Sequence, residues 1–234
     1  MTLSLLHVNP DTGTVAALTA TGGVAVGGYV HHAWRGIGAC ATQGRVTHPW
    51  YPEGLRQALA DDVRAQQALD DQVVQDPQAT LRQCLVMDRY GTSALHNGAD
   101  NGAVVASCHY PGVAAAGNLL ADRRVVNALC DTLLSSSCRN AEAVIAAGAM
   151  PVYRADYERC LPESLVDALE AALGCGGDVR GTRSAALRVE SFHQAPIDLR
   201  IDWCEGDLVG ELRGLIRRVR ESTFADFLAA MPRR

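Results

Sequence analysis

The chain has 234 residues, 48% of them hydrophobic and 20% charged, with a formal net charge of −5 at pH 7. That composition supports a sizeable buried core and argues against disorder; it carries no basic stripe for nucleic acid, no apolar run near the roughly 20 residues that span a bilayer and no basic-then-apolar leader, so neither nucleic acid nor membrane is an expected partner and the expected location is the cytoplasm. All 21 lysine-or-arginine positions are arginine, which excludes a Schiff-base lysine, a P-loop lysine and a lysine general base together.

In chain order, residues 3–8 and 14–20 are strand-length runs flanking Asn9-Pro10-Asp11-Thr12-Gly13, whose turn chemistry predicts an opening hairpin. His31-His32 reads as a loop, and residues 36–42 as a third strand rich in small residues. From Pro52 the period lengthens: Leu55, Leu59 and Val63 recur at four, Leu69 and Val73 follow after a shift, Asp61-Asp62 is placed as the cap of a second helix, and Asp76-Pro77 ends the stretch. Strands return at residues 81–87, at 93–96 after the Asp88-Arg89-Tyr90-Gly91 turn, and at 103–107. Val125, Val126, Leu129, Cys130, Leu133 and Leu134 form one helix face; Leu165, Val166, Leu169, Ala172 and Leu173 form another, with Pro162 set just inside its start. Residues 184–189 make a strand, and Leu199, Ile201 and Trp203 alternate with Arg200 and Asp202 as in a half-exposed one. Leu208, Leu212, Leu215, Ile216 and Val219 face inward from a C-terminal helix, followed by a short helix carrying Phe224, Phe227 and Leu228. Early hairpins and blocked helices without regular β-α-β alternation predict an α+β domain of antiparallel sheets with segregated helices. The eight cysteines show neither C-x-x-C nor zinc spacing and read as small buried hydrophobes; no metal and no organic cofactor is expected.

Four segments carry candidate chemistry. Met1-Thr2 is a start from which methionine is readily removed. Thr2 is then either the plain first residue of a strand or a nucleophile whose own α-amine, with a pKa near 7.7–8.0, takes the hydroxyl proton. Gly176-Gly177-Asp178-Val179-Arg180-Gly181-Thr182-Arg183-Ser184 is either a helix-to-strand turn closed by an ion pair or a ligand-approaching loop in which Asp178 and Arg180 orient a site. Asn118, in Gly117-Asn118-Leu119-Leu120 before a helix, is a helix cap or a donor to an oxyanion. His48-Pro49-Trp50-Tyr51-Pro52 is a loop that serves as an aromatic lid, as an oligomer contact or as neither. The glycine pairs Gly22-Gly23 and Gly27-Gly28 and the Gly36-Ile37-Gly38 run match no nucleotide-binding fingerprint.

Taken in order, these segments resemble the domain-of-unknown-function family 1028, which is assigned to the N-terminal nucleophile (Ntn) hydrolase superfamily. The resemblance runs through Met1-Thr2-Leu3-Ser4, the 9–13 turn, Ala25-Val26-Gly27, and Gly36-Ile37-Gly38-Ala39-Cys40-Ala41-Thr42-Gln43. It continues through Pro52-Glu53-Gly54-Leu55, Asp76-Pro77 with Arg82-Gln83, His96-Asn97-Gly98, Gly117-Asn118-Leu119-Leu120-Ala121, the 176–187 segment and Asp198-Leu199-Arg200-Ile201-Asp202. Gly-Gly-Asp-x-Arg-Gly-x-x-Ser-Ala-Ala-Leu is the most specific piece. The resemblance implies one four-layer αββα sandwich over residues 1–234, two antiparallel sheets between helix layers, with a helical insertion at about 135–160. It implies hydrolysis of a small amide or peptide-like metabolite through Thr2, with Asn118 at the oxyanion, Asp178, Arg180 and Ser184 as orienting groups, and Thr21 and Gln43 on the substrate. The family commonly carries Ser-Lys where this chain has Thr21-Gly22, so the lysine that assists related nucleophiles is missing. The alternative is a non-catalytic, oligomeric binding or scaffolding protein that keeps the cleft without the reaction. A homodimer is the expected assembly for a chain of this size.

Overall fold

The computed structural model describes residues 2–232; Met1, whose removal the nucleophile reading of Thr2 requires, lies outside the described residues. Ten strands form two antiparallel sheets. The larger contains β1 (Thr2–Val8), β2 (Val15–Thr21), β7 (Ala106–Tyr110), β8 (Val113–Asn118), β9 (Ser184–Glu190) and β10 (Ile197–Ile201), in the order β10-β9-β2-β1-β8-β7. The smaller contains β3 (His31–Trp34), β4 (Gly38–Gly44), β5 (Arg82–Asp88) and β6 (Ser93–Asn97), in chain order. The helices are α1 (Tyr51–Ala60), α2 (Ala65–Val73), α3 (Arg124–Ser137), α4 (Ala141–Ala147), α5 (Tyr157–Gly174), α6 (Leu208–Arg220) and α7 (Ser222–Ala229).

Every residue of β1, β2, β5 and β8 is buried. A strand buried along its whole length is covered on both faces, so each sheet has one face against helices and the other against its partner sheet. Side-chain alternation sorts the faces. Leu3 and Leu5 of β1, with Ala16, Leu18 and Ala20 of β2, pack under Leu129, Leu133, Leu165, Leu169 and Leu212 of α3, α5 and α6. Leu6 and Val8, on the opposite face of β1, meet Ala39 and Ala41 of β4 and Leu85 and Met87 of β5 between the sheets. Cys40, Cys84 and Val86 turn outward to Leu55, Leu59 and Leu69 of α1 and α2. The layers are therefore helices, six-stranded sheet, four-stranded sheet, helices: the αββα sandwich. All eight cysteines are unbridged.

Several local expectations shift. His31-His32 opens β3 rather than lying in a loop: His31 and Ala33 are buried while His32 and Trp34 are half-buried, an alternation that two adjacent histidines hide from a hydropathy count. Asp61 ends α1 and Asp62 turns the chain at φ 66°, so neither starts the next helix. The first amide of α2, on Ala65, donates instead to Asp88 at the end of β5, a tertiary partner invisible in the local pattern. Pro162 sits inside α5, because the helix extends upstream to Tyr157, whose ring stacks on Tyr153 at 4.4 Å. β7 lies three residues later than expected at its start, set by the Pro111-Gly112 turn in which Gly112 has φ 74°. Trp203 falls just past β10 and is exposed. Within residues 135–160, α3 ends at Ser137, α4 follows, and Cys138 bridges Tyr153 before α5 begins.

Buried histidines give the fold a pH dependence. His7 is enclosed beneath Tyr153 and Tyr157, with its Nδ1–H donating to the Gly112 carbonyl at 2.9 Å. Burial lowers its pKa to about 4, and burial together with nearby cationic groups lowers that of His31 to about 3. Both depressed values mean that the unfolded chain binds protons that the folded one refuses. The stability is complete above pH 6.5 and is lost as pH falls toward 4, His7 alone contributing roughly 3 kcal/mol over that interval. Urea denaturation at pH 7, 5.5 and 4.5 should show this decline, and His7→Asn, which retains a donor for Gly112, should flatten it; an unchanged slope in that variant would refute the assignment to His7.

Candidate functional site

The polar residues gather at one end of the space between the sheets, and strand register puts them there. In the six-stranded sheet Thr2 is the Cα partner of Asn118 on one side and of Thr21 on the other, and Thr21 is in turn the partner of Ser184. Asn118, Thr2, Thr21 and Ser184 thus form a single row across β8, β1, β2 and β9, about 14 Å long at the usual strand spacing. They share the alternation phase of Leu6 and Ala116, so the row faces the other sheet. Opposite it, Gln43 of β4 pairs with Gln83 of β5, and Gln83 with Asn97 of β6, in a second polar row.

Hydrogen bonds tie the rows together. Gln43 Nε2 donates to Gln83 Oε1 at 2.7 Å and to the Ala116 carbonyl at 3.2 Å. Asn118 Nδ2 donates to the same Gln83 oxygen at 3.0 Å, and Gln83 Nε2 donates to the Gly117 carbonyl at 3.1 Å. Ser4 Oγ donates to Gln43 Oε1 at 2.6 Å. Each of these side chains is buried, so each needs such partners. Thr2 Oγ1 donates to Thr21 Oγ1 over a long 3.4 Å. At 9% exposure Thr2 lies at the boundary between this packed floor and solvent.

The glycine-rich segment packs against the solvent end of the row. Leu119 takes φ 50°, a left-handed turn that ends β8 directly after Asn118. Leu120 then bridges Asp178, and the Ala121 amide donates to the Gly177 carbonyl at 3.1 Å, drawing residues 177–178 against the row. The Asp178 carboxylate is wholly enclosed; it accepts from the Gly22 amide, from the Arg180 amide at 2.8 Å and from the Arg180 guanidinium at 3.0 Å. The Arg180 guanidinium is half exposed and donates to Thr21 Oγ1 at 3.3 Å. A chain of contacts thus runs from Asp178 through Arg180 and Thr21 to Thr2. Gly22 is required: a Cβ there would lie 2.8 Å from an Asp178 oxygen and 2.7 Å from the Gly181 carbonyl. A lysine at 22 therefore does not fit beside the Asp178 carboxylate in this arrangement.

All seven residues singled out in the sequence lie in this region, in different positions. Thr2, Thr21, Asp178 and Arg180 form the contact group, and Asn118 flanks Thr2 in the row while bonding to Gln83 of the floor. Gln43 belongs to the floor beneath it. Ser184 Oγ donates to the Gly23 carbonyl at 2.8 Å and accepts from the Val26 amide at 3.3 Å, so its bonds fasten the 22–26 loop. Asn118 caps no helix, because α3 begins six residues later at Arg124. Gln83 and Ser4, which lie in segments that carry the resemblance, and Thr19 have no role assigned from the sequence. Their signal is polarity at period-two positions of apolar strands: Gln83 shares a face with Leu85 and Met87, and Ser4 with Leu6.

Among the described residues no three His, Cys, Asp or Glu side chains cluster as a metal site, and no helix is long and apolar enough to cross a membrane. A protein from Silicibacter pomeroyi of known crystal structure, described as a DUF1028 protein, is 28% identical and superposes with a TM-score of 0.82 over 99% of this chain and 95% of its own. No curated protein matches the chain. Residues 2–212 match the family of unknown function DUF1028. With nine-tenths of the chain inside that match, and the fold shared with the Silicibacter protein, the chain belongs to DUF1028.

Proposed function

We propose that this protein is an Ntn-type amidohydrolase that cleaves a small amide or peptide-like metabolite with Thr2 as its nucleophile. The observation that carries the reading is the cross-strand row: Thr2 stands at the solvent end of a central strand, between Asn118 and Thr21, with the Asp178–Arg180 pair touching Thr21. Cleavage after Met1 supplies the α-amine. The Thr2 hydroxyl then attacks the amide carbonyl carbon and its proton passes to that amine, a base poised near cytosolic pH. The tetrahedral oxyanion takes hydrogen bonds from the Asn118 amide hydrogen that Gln83 does not use and from nearby backbone N–H groups. The α-ammonium returns the proton to the leaving nitrogen as the C–N bond breaks, leaving an ester on Thr2. Water, deprotonated by the same amine, attacks the ester; a carboxylic acid leaves and Thr2 recovers its proton. A guanidinium is not a general base, so the part of Arg180 is to hold Thr21 and place positive charge beside the row.

The reading is tested by trapping. Mass spectrometry of the protein quenched during turnover of small amides should find the acyl group on a peptide that begins at Thr2. An acyl group on another residue, or hydrolysis with none, would oppose it. The absence of lysine favours a second reading, a non-catalytic binding or scaffolding protein of the same fold, and a ligand that binds beside this row without being turned over would select it.

A further inference from the structure

A cavity of about 680 Å³ lies at the end of the sandwich away from the Thr2 row, between the edge strand β3, α1, the chain that follows β9 and the chain after α7. Its volume is in the range of small-molecule sites. Trp34, Arg35, Arg56, Arg188, Glu190 and Phe192 supply its chemistry. Glu190 is six residues along β9 from Ser184, which places the cavity about 20 Å from the Thr2 row.

One wall is built to hold a flat ring. Phe192 rests on two glycine turns, Gly13 at φ 70° and Gly36 at φ 65°, joined by the Gly36 amide donating to the Gly13 carbonyl at 2.9 Å. A Cβ on either glycine would come within 2.7 Å of the phenyl ring, so both positions are shaped to the ring above them. The Arg35 guanidinium lies over that ring, 5.5 Å from its centre. The Trp34 indole, stacked on His32 at 5.9 Å, adds a second aromatic surface.

The charges around the cavity do not balance: Arg188 meets two carboxylates, Glu190 and Asp198, the latter at 2.6 Å, so with Arg35 and Arg56 three guanidinium groups stand against two carboxylates. The Arg35 guanidinium donates to the Ser191 carbonyl at 3.3 Å, and among the described residues neither Arg35 nor Arg56 is within ion-pair distance of a carboxylate. Two guanidinium groups thus face a pocket with flat aromatic walls. We propose that this cavity binds a small planar aromatic anion, its ring against Trp34 and Phe192 and its carboxylate or phosphate on Arg35 and Arg56.

The probe is 2-naphthoate, titrated into the full-length protein by calorimetry beside its neutral amide. The expected result is a dissociation constant below about 1 mM for the acid and binding at least about tenfold weaker for the amide. Arg56→Ala, on the solvent-exposed face of α1 and so neutral to folding, should weaken the acid by at least about fivefold. Trp34→Leu should weaken both compounds, while Thr2→Ala should leave both unchanged, separating this site from the proposed catalytic one. Equal affinity for acid and amide, indifference to Arg56→Ala, or no binding of the acid at about 10 mM would overturn the proposal.

Discussion

Thr2→Ala should reduce amide hydrolysis by a factor of at least about 10³ while leaving the fold in place, because it removes the atom that forms the bond to the substrate and no neighbour can replace it. The nearest hydroxyl, on Thr21, carries no α-amine and is engaged by the Arg180 guanidinium at 3.3 Å. The structural cost is small: the Thr2 side chain has a single long bond of 3.4 Å, and its loss should change stability by less than about 1 kcal/mol. Thr2→Ser keeps both hydroxyl and amine and should retain measurable turnover. Paired rates for the two variants, with circular dichroism to verify folding, make the comparison. Equal activity in Thr2→Ala and the parent protein would remove Thr2 from the mechanism.

Gln83→Leu should show the largest loss of stability in the polar region for a change of nearly constant volume. Gln83 is fully buried; its Oε1 accepts from Gln43 and Asn118 and its Nε2 donates to the Gly117 carbonyl. Leucine leaves an Asn118 N–H without its acceptor in a closed space and removes a donor from Asn97 Oδ1 and from the Gly117 carbonyl, which keeps its place in the sheet ladder, whereas Gln43 still reaches the Ala116 carbonyl. One stranded donor and three weakened groups should together cost about 3 kcal/mol, a fall in Tm of roughly 6–12 °C for a protein of this size. Asn118 loses its anchor at the same time, so kcat should fall while KM changes little. Thermal denaturation and steady-state rates read the two effects separately. A Tm within about 1 °C of the parent would mean that the two polar rows do not depend on Gln83.

The sequence carries the fold through its strand and helix periods. The opening hairpin, β5, β6, β9 and the inward faces of α3, α5 and α6 all follow from spacing, since each has one apolar set that must be covered. Elements fixed by distant partners were not legible. The start of α2 depends on Asp88, and β3 depends on the buried His31, whose protonation burial suppresses. The candidate site was legible as residues and not as geometry. Thr2, Asn118, Thr21 and Ser184 are spread over more than 180 positions, and only the register of four antiparallel strands aligns them. Gln83 lies in a segment that carries the resemblance, but its role is not legible there, because a glutamine beside Arg82 and Cys84 resembles a surface residue until both sheet faces are known to be buried. The tie between Asp178 and Gly22 needs the folded chain as well.

A Thr2 nucleophile needs its own free amine, and the intact mass and N-terminal peptide of the protein isolated from its natural source show whether it has one. The expected result is a chain that begins at Thr2, with the methionine gone from essentially every molecule. A chain that retains Met1 throughout would leave Thr2 without an amine, contradict the proposed mechanism and turn the row of Asn118, Thr2, Thr21 and Ser184 into a binding surface.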